Sequence, residues 1–132
     1  YIALLVPTTP IRNIYTINEA ILKIKKYPEA TGLRSVHEFI ESPYKWFKLE
    51  ENNFLSPLLT QKWNELDMPR QLVPKVFVPN GYIDLIRVET VLNTTTVYGT
   101  KILSYITPYA VEIDSEEGFA LAEIMMSKSD NP

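Results

Sequence analysis

Three prolines between residues 69 and 79 restrict this chain more than any other local feature: Pro69, Pro74 and Pro79. Each fixes φ and deletes a backbone donor, so the stretch from Pro69 to Asp84 is predicted to be non-helical. An apolar run, Val76 to Val78, enters an Asn80-Gly81 step, and a second, Tyr82 to Ile86, leaves it. The pattern predicts a stiffened loop, a short strand, a tight turn and another strand. Local sequence favours a two-residue hairpin turn at Asn80-Gly81. Gly81 also allows a positive φ or a close approach to a ligand.

A chain of 132 residues, 45% apolar and 11% aromatic, can bury one real core, so a single domain is expected. Its formal net charge of -3 offers no broad basic surface, which argues against nucleic acid as a partner. Cysteine is absent, so neither a disulfide framework nor a thiolate metal site is available, in keeping with a cytoplasmic location. The apolar run Ile2 to Val6 is far too short to span a bilayer and lacks the charged start of a signal peptide. No membrane partner is expected.

Taken in order, Tyr1 to Val6 reads as a strand buried on both faces, as in a parallel sheet covered by helices. Such a strand needs neighbours, and the expectation is that sequence precedes it. Thr16 to Glu19 forms a capping box for a helix reaching about Lys26, with Ile17, Ala20, Ile21 and Ile24 on one face. Lys23, Lys25 and Lys26 read as a solvated helix end. Ser35 to Ile40 is a candidate strand, and His37, the sole histidine, reads as an ordinary residue within it. Lys45 to Leu49 and Phe54 to Leu59 flank an acidic turn and predict a β-hairpin. Thr60 to Met68 is expected to be a loop or one helical turn anchored by Trp63 and Leu66.

Beyond the proline-rich stretch, Val88 to Asn93 reads as a short helix, Thr94 to Thr96 as a loop and Thr100 to Ile106 as a strand. Ala110 to Ile113 reads as a short strand. A helix from about Glu116 to Lys128, capped by Asp114 or Ser115, should bury Phe119, Leu121, Ala122, Ile124 and Met125. The tail from Ser127 to Pro132 is polar and expected to fray. No Gly-rich phosphate loop, serine-nucleophile signature or His-rich metal spacing is present.

Four short motifs occur in one order. They are Pro7-Thr8-Thr9-Pro10-Ile11-Arg12, Pro43-Tyr44-Lys45, the stretch Pro69-Arg70-Gln71 to Pro79-Asn80-Gly81, and Glu112-Ile113-Asp114-Ser115-Glu116-Glu117-Gly118-Phe119. Together they resemble the acylneuraminate cytidylyltransferases, or CMP-sialic acid synthetases, over the C-terminal part of the catalytic domain. The resemblance implies a three-layer α/β/α, nucleotide-diphospho-sugar transferase-like sheet whose N-terminal part is missing. It implies a hairpin and loop extension over residues 41–75, a candidate for a dimer interface. It also implies a homodimer that joins CTP to an acidic sugar, releasing pyrophosphate, with the isolated chain inactive.

The resemblance further implies roles. Asp114, Arg70 and Lys45 would be catalytic, and Thr8, Thr9, Arg12, Asn80, Gly81 and Tyr98 would bind substrate. Asp114 and Glu112 would hold Mg²⁺ or Mn²⁺; hard oxygen ligands suit such an ion, and in a strand residues two apart share a face. From the residues alone, Asp114 is a helix cap with Glu117 completing a capping box, and Lys45 and Arg70 are solvated surface cations. The chain departs from the family's pattern at Val6, Asp84, Val97 and Glu112, where the family usually has Gln, an aromatic, an aromatic and Asp. Nothing matches the family's nucleotide-binding Gly-Ser-Lys loop. The alternatives are a related enzyme for another keto-sugar acid and a non-catalytic binding or dimerisation module.

Overall fold

The computed structural model describes residues 1–60 and 62–129. The chain is mixed α/β, in the order β1 (Ile2–Leu4), α1 (Ile14–Lys25), β2 (Gly32–Phe39), β3 (Phe47–Leu49), β4 (Leu55–Pro57), α2 (Trp63–Leu66), β5 (Val76–Ile86), α3 (Val88–Asn93), β6 (Ile102–Ile106) and α4 (Glu116–Ser129). Single 3-10 turns occupy Pro43–Lys45 and Arg70–Leu72. The chain forms two compact units: residues 1–37 with those from 79 onward, and Glu38–Val78. Residues 41–75, expected to form an extension, lie inside the second unit. Among the described residues no helix is long and apolar enough to cross a membrane.

The first unit is built on a mixed four-stranded sheet in the order β1-β5-β2-β6. β1 runs antiparallel to β5, with Leu4 opposite Asp84, and β6 runs parallel to β2, with Gly32 opposite Ile102. The core gathers Ala20 and Ile24 of α1 with Ala30, Leu33, Ile83 and Leu85, and Ile17, Ile21, Leu103 and Tyr105 pack around them. Residues 17, 20, 21 and 24 recur at helical spacing, which places one apolar stripe against the sheet.

Several elements differ from expectation. The helix starts three residues early, because Asn13 caps it by accepting from the Tyr15 N–H at 2.8 Å; Thr16 lies inside. β1 is an edge strand, with Ile2 and Leu4 nearly half exposed, not a strand buried on both faces. A continuous apolar run signals a strand but not how many neighbours it has. Ala110 and Val111 are buried without forming a strand; an Ile113 N–H to Thr8 carbonyl bond of 2.7 Å ties the segment to the first loop. α4 buries Ala122, while Phe119, Leu121, Ile124 and Met125 are exposed. Their spacing spreads them around the helix, so one stripe cannot hold them all. α4 continues to Ser129, and residues 130–132 of the expected frayed tail lie outside the described residues.

The largest correction concerns Asn80-Gly81. No hairpin turn forms, and β5 runs unbroken from Val76 to Ile86. Asn80 is buried, and its amide donates to Thr107 Oγ1 at 2.6 Å and to the Pro108 carbonyl at 3.4 Å. Gly81 takes φ +63°, which bends the strand locally without reversing it. Partners distant in sequence thus outweigh the local turn preference. Pro79 lies beyond the register with β1, which ends at Asp84, so its missing N–H costs no bond to that neighbour.

Tyr105 anchors β6 to α1 by donating its hydroxyl to Glu19 Oε2 at 3.1 Å. Burial first, and this hydrogen bond next, push the phenol up to about 12. The folded state therefore holds its proton where the unfolded chain has lost it. This stabilisation is fully present below the ordinary tyrosine value and is lost as pH rises from there to about 12. Melting temperature should fall over that window, and Tyr105→Phe should fall less steeply; parallel curves would contradict the assignment.

In the second unit, β3 and β4 form the expected antiparallel hairpin, with Phe47 opposite Pro57 and Leu49 opposite Leu55. Its turn is closed by the Glu50 N–H to Phe54 carbonyl bond of 2.9 Å, with Asn53 in the left-handed region. Asn tolerates that region better than most residues. The expected turn between 60 and 68 is α2, with Leu66 buried and Trp63 exposed; Gln61 lies outside the described residues.

Candidate functional site

Two of the four motifs, residues 7–12 and 112–119, lie in the first unit with the Pro79-Asn80-Gly81 end of a third. The turn after β1 is closed by the Thr9 N–H to Val6 carbonyl bond of 3.1 Å. Arg12 then reaches across, donating from Nε to the Tyr82 carbonyl at 2.7 Å and from one terminal nitrogen to the carbonyls of Val6 and Gly81 at 2.5 and 3.1 Å. Desolvation lowers the pKa of this guanidinium. Arg12 therefore clips the Thr8-Thr9 loop to the bend in β5. Thr9 is fully buried, its hydroxyl has no hydrogen-bond partner among the described residues, and a Cβ on Gly81 would come within 3.0 Å of it. With φ +63° as well, any other residue at this position would be strained. Thr8 is exposed, while its carbonyl accepts from Ile113.

Glu112 and Asp114 flank that contact, and both are exposed. They do not lie on a strand, so the alternation expected to align them does not apply. The cap of α4 is Ser115, whose Oγ accepts from the Gly118 N–H at 3.2 Å. That leaves the Asp114 carboxylate without a capping role. Among the described residues no group of three or more acidic or histidine side chains could hold a metal. Two hard-oxygen carboxylates still suit Mg²⁺, which takes one or two and fills the rest with water and phosphate.

Gly118 fixes how α4 meets this segment. A Cβ there would lie 2.5 Å from the Glu112 carbonyl oxygen, so Gly118→Ala must push backbone against backbone. A loss of about 1–3 kcal/mol in urea unfolding is expected. An unchanged midpoint would show that the two segments separate freely.

Tyr98 is not a free substrate donor. Its hydroxyl donates to Asp84 Oδ2 at 2.6 Å, Arg34 Nε donates to the same oxygen at 3.3 Å, and the guanidinium carbon lies 4.4 Å from the Tyr98 ring centre. Burial, then Asp84, raises the Tyr98 pKa. Sequence reading noted Asp84 as a departure but missed Arg34. The signal was available: an acid inside the apolar run from Tyr82 to Ile86 requires a buried partner. His37, in β2, meets Tyr109 edge-on at 5.3 Å, in keeping with a packing role.

The second unit carries the other two candidates. Lys45 lies in the 3-10 turn Pro43–Lys45, not at the start of a strand, and Arg70 opens the turn Arg70–Leu72. The two line one cavity of about 380 Å³ with Ile40, Glu41, Ser42 and Trp46. This unit holds five basic side chains: Lys45, Lys48, Lys62, Arg70 and Lys75. Three are paired with acids, Lys48 with Glu50, Lys62 with Glu65 and Lys75 with Glu38. Among the described residues, the two without an ion pair are those that share the cavity.

No protein-family model matches the chain, and a search of curated proteins finds no relative.

Proposed function

We propose a nucleotidyltransferase that activates an acidic nonulosonic sugar with CTP, giving a CMP-sugar and pyrophosphate, on a nucleotide-diphospho-sugar transferase-like fold. The observation that carries this reading is the pairing of Lys45 with Arg70 around one cavity while the unit's other cations are spent on its own acids. In a chain of net charge -3, bound anions need cations placed against the general field. The planar fork of Arg70 suits a carboxylate, Lys45 adds a point charge, and Trp46 offers an apolar wall for a sugar ring. Asp114 and Glu112 would hold Mg²⁺ or Mn²⁺. When bound, such an ion neutralises charge on the triphosphate. The Thr8 to Ile113 bond ties the Thr8-Thr9 loop to the backbone of the segment that carries these carboxylates. Arg12 ties the Val6 end of that loop to Gly81, and Asn80 is held by Thr107 and Pro108 in the same strand as Gly81. A homodimer belongs to the same proposal.

A second reading, a non-catalytic binding module, is favoured by one observation. Arg12 and Asn80 spend their polar groups on the protein's own backbone and on Thr107, so these motif positions serve the fold with or without a reaction. The isolated chain is expected to be inactive, so the two readings separate when pyrophosphate release is measured on the product of the whole reading frame that contains it, with CTP, Mg²⁺ and either N-acetylneuraminate or ketodeoxyoctonate. The enzyme reading predicts metal-dependent release that Asp114→Asn lowers by about a hundred-fold or more. Because Ser115 makes the cap, that substitution should leave the melting temperature unchanged. Sugar binding without release selects the binding module; neither binding nor release removes both readings.

A further inference from the structure

The cluster around Asp84 holds a cation whose outer edge is unused. Asp84 is 4% exposed, and one of its oxygens, Oδ2, takes both Arg34 Nε and the Tyr98 hydroxyl. The pairing is not the two-bond fork that a guanidinium and a carboxylate commonly make. Asp84 Oδ1 is buried without a hydrogen-bond partner, and among the described residues the two terminal nitrogens of Arg34 have none either. The Arg34 side chain is one-third exposed. One nitrogen is tied to a buried acid, one face is covered by an aromatic ring, and the remaining edge is left for a guest.

We propose that Arg34 is an oxyanion-binding residue, aimed by Asp84 and Tyr98, that takes a carboxylate or phosphate group on its two terminal nitrogens. Asp84 behind the guanidinium weakens its long-range pull on an anion but fixes the plane of the fork. Stacking on Tyr98 restricts it further, so little side-chain entropy remains to be lost on binding. A surface arginine lacks both restraints. Lys45 and Arg70 belong to the other unit.

The test follows the side-chain nitrogens of ¹⁵N-arginine-labelled protein by NMR during titration with inorganic phosphate, and separately with acetate, at ionic strength held constant with chloride. The Arg34 resonances are expected to shift saturably with at least one of the two, and the stronger response identifies the preferred group. Arg34→Lys, which keeps the charge but loses the fork, should weaken binding by about ten-fold or more, read in both proteins from the Asp84 backbone amide after uniform ¹⁵N labelling. Tyr98→Phe keeps the ion pair but removes the hydroxyl that steadies Asp84, and should weaken it by less. Arg70→Ala should leave the Arg34 response unchanged, so the result stands apart from the sugar reading. Arg34 resonances that do not move in the wild-type protein, or Arg34→Lys binding as tightly, would overturn the proposal.

Discussion

Asp84→Ala is expected to cost about 2–3 kcal/mol of stability, the largest loss among the substitutions considered. The change removes the shared acceptor of Arg34 and Tyr98 and leaves both donors in a mostly buried setting. Breaking a buried pair costs ~3–5 kcal/mol, and the partial exposure of Arg34 moves the expectation to the bottom of that range and below it. Asp84→Asn keeps one acceptor oxygen and should cost less. Urea unfolding near neutral pH measures both. A loss below ~0.5 kcal/mol for Asp84→Ala would mean that water satisfies the cluster and that it does not hold β2 to β5.

The sequence reading succeeded where short-range periodicity decides the outcome. The α1 stripe of Ile17, Ala20, Ile21 and Ile24, the β3–β4 hairpin and the α3 turn all follow from local pattern. It failed where distant partners decide. Asn80-Gly81 is a strong hairpin signal, but Thr107 and Pro108 capture the Asn80 amide and Arg12 holds the Gly81 carbonyl. Those residues lie 27, 28 and 69 positions away, so no window around the turn could reveal them. The apolar run at β1 likewise could not show that, among the described residues, its one sheet neighbour is β5. Of the candidate residues, Lys45 and Arg70 share a cavity, and the Thr8-Thr9 loop, Arg12 and Gly81 share another neighbourhood. Tyr98 is engaged by Asp84. The buried acid Asp84 signalled that a partner was needed, but nothing local pointed to Arg34, 50 residues away, as that partner.

Lys45→Ala and Arg70→Ala are each expected to weaken N-acetylneuraminate binding by about ten-fold, roughly 1.4 kcal/mol. The double variant should lose about a hundred-fold if the two contacts act independently. CTP binding should barely change. Because neither side chain forms an ion pair among the described residues, each variant should stay within ~0.5 kcal/mol of the wild-type stability. Isothermal titration calorimetry and urea unfolding on the same preparations give both quantities. Retained affinity with lowered stability would make the two residues structural. Weakened CTP binding instead would make Arg70 a phosphate contact.

The most direct measurement compares N-acetylneuraminate with its methyl ester, which has the same ring and substituents but no carboxylate charge. Calorimetric titration of the wild-type chain and of Arg70→Ala with both ligands isolates the interaction that the cavity is proposed to make. The wild-type protein is expected to bind the acid about ten-fold or more tightly than the ester, and Arg70→Ala should bind the two alike. Equal affinity of the wild-type protein for acid and ester, or a preference for the acid that survives Arg70→Ala, would contradict carboxylate recognition by Arg70.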